Sequence, residues 1–226
     1  MAVSILIGKL SGALRGSVLF LVLLFVFVYP ADGRAFEAKV KYVIDGDTFV
    51  MEDGSTVRLA SIDTPEIGHD GRKDGYYARE AGEALRNMVN GRTVSVIAAS
   101  KSGDRYGRMV AWVFAGNIFV NEYMVENGYA YFYYHGNNHK DYRKKILEAQ
   151  CRAINGQKGF WPVVLKEGKA GQTWIGNRRS HRCFPEKCGI VSKINPANRV
   201  SFTNLELAFR QGYSPARNIS FWPSVR

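Results

Sequence analysis

At 226 residues, 46% hydrophobic and 23% charged, the chain has the composition of a globular protein and the length for one well-cored domain with additions, which excludes a wholly disordered chain. Its formal charge of +11 and pI near 9.6 call for an acidic partner. Nucleic acid and an anionic membrane surface both qualify, and charge alone does not choose between them.

Residues 1–35 read as a targeting segment. Lys9 and Arg15 precede an uncharged apolar run from Ser17 to Tyr29, and Ala31-Asp32-Gly33 and Gly33-Arg34-Ala35 offer small residues at cleavage-site spacing. The run is nearer the length of a signal-peptide core than the roughly 20 residues of a spanning helix. The expectation is export, with the segment removed as a signal peptide or kept as an N-terminal anchor in contact with the membrane. Either way the working domain is placed outside the cytoplasm, as a secreted, periplasmic or cell-envelope protein.

Phe36–Val43 alternates as a first strand. Asp45-Gly46 then suits the positive-φ positions of a tight turn, Thr48–Met51 reads as a second strand, Asp53-Gly54 repeats the turn signal and Thr56–Ile62 returns. Thr56, Arg58 and Ala60 share one face of that strand, and Val57 and Leu59 face the core. Pro65 ends it by removing a donor and extending Thr64, which leaves Asp63 and Glu66 at a strand end. Asp45, Asp47, Arg58, Asp63 and Glu66 thus fall within one short stretch, a density of charge that a packed hairpin does not need for folding. A hard divalent cation such as Ca²⁺ takes carboxylate and carbonyl oxygens, and Asp47 and Asp63 with a carbonyl from the Asp63-Thr64-Pro65 turn suit one. The plainer reading keeps each Asp-Gly pair as a turn and nothing more.

Residues 69–75 form a polar, Gly-rich loop in which His69 is a minor candidate for ligand or base. Tyr77–Val89 is predicted as a helix, with Ala78, Ala81, Leu85, Met88 and Val89 inward and Glu80 and Glu83 solvated. Thr93–Ala99 and Met109–Phe114 are further strands, completing a count of five. Arg108 opens the last of them just after Gly107, where its fork can reach the pocket of Arg58. Two guanidiniums suit phosphodiester chemistry, because charge grows on the equatorial oxygens during attack; the plainer alternative pairs these arginines with Asp104 or Glu52. Asn121 can cap a short helix through Glu126, Tyr129–Tyr134 is an aromatic run, and 139–156 is a helix with Tyr142, Ile146, Ala149 and Ala153 as its stripe. Phe160-Trp161-Pro162 reads as the end of the domain, and Lys166–Arg179 as a Gly- and Lys-rich linker. Cys183 and Cys188 can close a small disulfide loop in an exported protein, and Cys151 is left over.

Asp45-Gly46-Asp47-Thr48, the Arg58-Leu59 strand, Ile62–Glu66, Asp104–Arg108, Val120-Asn121-Glu122 and Asn127–Ala130 together resemble the staphylococcal nuclease (thermonuclease) family, over residues from about 36 to 161. The resemblance implies an α+β, mainly β fold: a five-stranded OB-type barrel closed by about three helices. It also implies a Ca²⁺-dependent nuclease acting on phosphodiester bonds of DNA and, in second place, RNA, with cleavage that leaves a 3′-phosphate. On that reading Asp47, Asp63 and the Thr64 carbonyl hold the metal, with Asp45 behind them. Glu66 orients or deprotonates water, Arg58 and Arg108 clamp the phosphate, and Tyr106 and Tyr134 contact substrate, the last within about one residue of register.

From Ile194 to Pro215 the tail resembles the cysteine-cluster module of the Ada DNA-repair protein. Ala216 and Ile219 stand where its second cysteine pair belongs, so no four-thiolate zinc site can form. The expected organisation is therefore 1–35 signal or anchor, 36–165 nuclease-like barrel, 166–180 basic linker and 181–226 small accessory module. Two other classes compete. One is a catalytically silent OB module that only binds nucleic acid, whose mark is loss of a metal carboxylate, Glu66 or either arginine, and none is lost here. The other is a membrane-anchored envelope protein whose basic surface meets anionic lipid.

Overall fold

Alternating apolar residues build a closed barrel from the first half of the chain. The computed structural model describes residues 35–68, 71–100, 102–136, 138–167 and 172–223. Residues 1–34 of the targeting segment expected at 1–35, and the candidate His69, lie outside them. Strands β1 (Phe36–Val43), β2 (Thr48–Met51) and β3 (Thr56–Leu59) form an antiparallel meander. A short β4 (Ile62–Asp63) and helix α1 (Ala78–Val89) lead to β5 (Thr93–Ala98), which pairs with the other edge of β1, and to β6 (Met109–Ala115). A parallel pairing of β3 with β6, Val57 opposite Met109 and Leu59 opposite Ala111, closes the ring. The five-stranded OB-type barrel expected from sequence is the one observed, and closure leaves those strands no free edge.

Beyond the barrel come β7 (Ile118–Phe119), α2 (Val120–Glu126), β8 (Tyr131–Phe132) and α3 (Lys140–Asn155). Phe49, Val57, Leu59, Leu85, Val96, Val113, Met124 and Ile146 fill the interior with essentially no exposure. Helices α1 and α3 thus turn apolar residues of their predicted stripes to the barrel, Leu85, Met88 and Val89 from one and Tyr142, Ile146 and Ala149 from the other, and α2 adds Val120, Met124 and Val125.

Four local expectations change. The strand expected over Thr56–Ile62 is broken: Ser61 takes a left-handed φ of 56°, and β4 turns away to pair with β8. Left-handed backbone at a residue with a Cβ is costly, and Ser61 is fixed by Asn138 Nδ2, which donates to its Oγ at 2.7 Å. Gly46 is not at positive φ; it is needed because a Cβ there would lie 2.7 Å from Ala81 Cβ on α1. Asn121 does not cap α2, whose N-cap is Phe119. Fully buried, Asn121 instead accepts from Val113 N at 2.9 Å and donates to the carbonyls of Ala60 and Ala111 at 3.0 and 3.2 Å, satisfying backbone groups where β3 leaves the ladder.

The fourth change concerns the tail. Phe160-Trp161-Pro162 is not a bare chain exit, because Trp161 begins α4 (Trp161–Glu167), where proline in the first turn is tolerated. Nor is 166–180 simply a linker: Trp174–Asn177 is β9, the partner of both β10 (Arg182–Pro185) and β11 (Arg199–Phe202) in a four-stranded sheet. Helix α5 (Leu205–Arg210) and β12 (Ser214–Pro215) complete it. Trp174 drives the correction, since it is fully buried among Trp161, Phe202, Leu205, Phe209 and Tyr213 in a second core. Cys183 lies in that core, and Cys151, Cys183 and Cys188 are free thiols.

Candidate active site

The hairpin sets Arg58 between two acids. Thr48 is the cross-strand partner of Arg58, so Asp47, one residue before β2, comes alongside the guanidinium. Arg58 Nη1 donates to Asp47 Oδ1 at 2.5 Å, while Nη2 donates to Asp63 Oδ1 and, at 3.4 Å, to the Ile62 carbonyl. The break at Ser61 is what swings Asp63 back toward Arg58, five residues earlier in the chain. Thr48 Oγ1 also donates to Asp47 Oδ1, at 2.7 Å, and Asp45 Oδ1 accepts from Asp47 N at 3.0 Å, fixing the turn from behind. Asp63 Oδ2 accepts from the Tyr131 hydroxyl at 2.7 Å, and Arg217 Nη2 reaches its Oδ1 at 3.2 Å.

The centre of this arrangement is out of solvent, with Asp47, Arg58, Asp63 and Thr64 buried. Burial, opposed by Arg58 and reinforced by Asp45 and Asp63, pushes the Asp47 carboxyl up to about 7. Asp45 is raised too, by burial first and then by Glu66. Arg58 goes up despite burial, because Asp47 and Asp63 hold its proton. Glu66 is an exposed residue by surface area, yet the protein crowded around it, followed by the charges of Asp47 and Asp63, raises its carboxyl above the ordinary value.

Asp47, Asp63 and Thr64, the residues expected from sequence to hold a metal, offer oxygen donors only. No group of three or more His, Cys, Asp or Glu poised for a metal occurs among the described residues. The two aspartates are nevertheless buried on either side of one guanidinium, and among the described residues no hydrogen bond reaches Asp47 Oδ2. This fits a hard divalent cation that keeps several waters, and does not suit a softer ion.

Arg58 opens onto a cavity of about 730 Å³. Arg108 lines it as well, but the structure does not bring Arg108 against the acids. Its Nε and Nη2 donate to Asp104 Oδ2 at 2.9 and 2.6 Å, the pairing that the plainer sequence reading anticipates. Asp104 is held below its usual range: its partial burial acts the other way but is outweighed by the hydrogen bonds from Arg108 and from the Tyr106 amide. Tyr106 stands on the rim, 62% exposed, with the guanidiniums of Arg105 and Arg108 at 4.7 and 5.2 Å from its ring centroid.

Tyr134 is not in the cavity. It stacks on His181 at 3.9 Å, with the Arg143 guanidinium 4.9 Å from its ring centroid, and Tyr133 lines the cavity instead. The reason is parity. Side chains alternate through this extended segment, so Tyr131 and Tyr133 turn to the site while Phe132 and Tyr134 pack toward the barrel core. Tyr131 could have been found in the sequence by that alternation. Arg182 and Arg217, which also line the cavity, had no such signal, since they come from the tail. His135 lies there too, its pKa lowered by burial and then by Arg182, Arg58 and Arg217.

Residues 56–163 match the family model described as staphylococcal nuclease homologue. The chain is 30% identical over 131 residues to an uncharacterised protein of Bacillus anthracis, covering 56% of this chain and 61% of that protein, a little under two thirds of its length. A thermonuclease of Staphylococcus hyicus is 32% identical over 126 residues, 54% of this chain and 74% of the relative. An uncharacterised endonuclease of Escherichia coli O157:H7 is 32% identical over 142 residues, 61% of this chain and 85% of the relative. With two relatives at 32% identity covered over 74% and 85% of their own length, and with a family model matching the chain from β3 to α4, the chain belongs to the staphylococcal nuclease family.

Proposed function

We propose that this protein is an exported, Ca²⁺-dependent nuclease that hydrolyses phosphodiester bonds of DNA and, in second place, RNA, leaving a 3′-phosphate. One observation carries the reading: Arg58 bridges two buried aspartates at the wall of a cavity whose lining also includes Arg108. Folding alone does not ask for a guanidinium and two carboxylates there, since a buried ion pair is seldom worth its desolvation. The family relatives named for nuclease activity support the reaction class. Export rests on the sequence of residues 1–35.

Asp47, Asp63 and the Thr64 carbonyl would hold the cation, which when bound supplies Lewis-acid polarisation of the phosphate. The other roles belong to the chain's own side chains. Arg58 presents a planar fork, fixed in place by its carboxylate partners, that can donate to two phosphate oxygens and stabilises their charge most as it grows. Asp104 orients Arg108 so that its guanidinium costs little to order when the strand arrives. Glu66, raised by crowding and by its acidic neighbours, is a better base than an ordinary glutamate and can take a proton from an attacking water at its carboxylate oxygen.

Hydrolysis of single-stranded and duplex DNA by the purified chain, with Ca²⁺ and with chelator, tests this beside Glu66→Gln and Arg108→Ala. Calcium-dependent cleavage that falls by about a hundredfold or more in either variant is the expected result. Protein that binds DNA but cuts it under no divalent ion would overturn the reading and make the chain a binding module.

A further inference from the structure

Part of the cavity wall belongs to the tail, not to the barrel. Arg182, the first residue of β10, and Arg217, just past β12, both line the cavity that Arg58 opens onto, and both lie outside the span matched by the family model. Among the described residues, five arginines line this cavity against a single acid, Asp104.

The way Arg182 is held indicates what it faces. Its Nη1 donates to Ser214 Oγ at 2.9 Å and to the His181 carbonyl at 3.4 Å, and its Nη2 donates to the Tyr134 carbonyl at 3.0 Å. The guanidinium lies 3.4 Å from the centroid of the Tyr133 ring. Every one of these partners is neutral, and among the described residues no carboxylate pairs with it. The charge is fixed in place without being cancelled, an arrangement suited to an anion brought in from outside. Arg217 has a carboxylate partner, Asp63, but at 3.2 Å and shared with Arg58, and its own side chain is 46% exposed. It can turn toward an incoming anion without leaving the cavity.

We infer that the C-terminal module is the second wall of the nucleic-acid cleft, with Arg182 and Arg217 each binding a phosphate of the strand whose scissile linkage lies at Arg58 and Arg108. This rests on the nucleic-acid reading given above and goes beyond it, because it assigns substrate contacts to a region outside the family's span. The bound strand is gripped from the barrel on one side and from the tail on the other, so affinity depends on both.

Fluorescence anisotropy of a labelled single strand of about 12 nucleotides, titrated with the full chain in chelator across a salt series, reads this without turnover. The expected result is about tenfold weaker binding at low salt for Arg217→Ala and for Arg182→Ala. The slope of log affinity against log salt should become shallower by about 0.7 for each arginine removed. Arg217→Lys keeps the charge and should keep the slope. Arg179→Ala, on an exposed turn of the same tail, removes one charge away from the cavity and should leave the slope unchanged. Arg182 also ties the tail to the barrel, so thermal unfolding is recorded for each variant, and Arg217→Ala decides the matter if Arg182→Ala does not fold. A natively melting Arg217→Ala with an unchanged slope overturns the inference. So does an equal loss in Arg179→Ala, which would make the tail a diffuse basic surface. If the wild type binds the strand and the arginine slopes change as expected but Ca²⁺ yields no cleavage, the nuclease reading fails and this one stands.

Discussion

The two cores of this molecule are made of different material. The barrel is filled mostly by aliphatic side chains such as Val57, Leu59, Leu85, Val96 and Ile146, whereas the tail's core is mostly rings, with Phe160, Trp161, Trp174, Phe202, Phe209 and Phe221. In the barrel, closure by hydrogen bonds does the organising and side chains fill the space that remains. In the tail, where β12 has only two residues, the rings organise the sheet: Trp161 meets Phe209 edge-on at 4.9 Å, and Phe160 meets Trp222 at 5.1 Å. A closed barrel carries its own frame; the aromatic core takes part of its frame from α3 and α4, through Ala153, Ile154, Trp161 and Val164. The comparison places the weak point of the molecule at the residues common to both regions.

Gln150 is the first of these, and it offers the sharpest way to break the pairing of the two cores. Fully buried on α3, it accepts from Phe132 N at 2.7 Å and donates to the Phe209 carbonyl at 2.6 Å, one partner in the barrel region and one in the tail. Gln150→Ala strands both backbone groups and should cost about 2 to 4 kcal/mol in urea denaturation. It should also separate the fluorescence transition of the tail tryptophans from the far-UV transition; a single unchanged transition would mean that the cores do not depend on this link.

Tyr131 is the second link, and its change is smaller. Its ring packs against Phe209 and Phe221 while its hydroxyl donates to Asp63. Tyr131→Phe keeps the ring and removes the hydrogen bond, so stability should fall by only about 1.5 kcal/mol while cleavage falls more steeply than folding. Equal losses in both would place Tyr131 in the tail core alone.

The smallest effect belongs to the rim of the cavity. Asp104 has a folded pKa below its unfolded one, so its pairing with Arg108 stabilises the fold above the ordinary aspartate pKa, and that part is lost as pH falls through the folded value. Solvent screening limits it to about 0.5 kcal/mol. Arg108→Gln should therefore be slightly less stable than wild type at pH 7 and equal to it in strong acid, as read by thermal melts across pH.

How much of this could be read from the chain depends on distance along it. Asp45, Asp47, Arg58, Asp63 and Glu66 lie within one hairpin and its exit, so turn pairs and alternation brought them together in the sequence before the structure did. Ser61 was opaque because nothing in a serine announces left-handed backbone, which is usually given to Gly or Asn. Tyr133 and Tyr134 lie within the one residue of register that sequence leaves open, and the structure puts Tyr133 on the cavity because a step of one residue in an extended segment exchanges its two faces. Trp174 was hidden by the Gly- and Lys-rich composition before it. Arg217 was beyond any local signal, standing 154 positions from the aspartate it touches.

The aromatic core has one further consequence, for how the chain is made. Synthesis proceeds from the N-terminus, so β1 to α4 exist before Phe202, Phe209 and Phe221 arrive to cover them. Through that interval the rings of Tyr131, Phe160 and Trp161, all buried in the finished protein, face water as an apolar patch. A gene fragment cut after Glu167 makes that interval permanent: its product would hold a finished barrel and a sticky flank, and would gather into aggregates through the flank while the barrel itself remained folded.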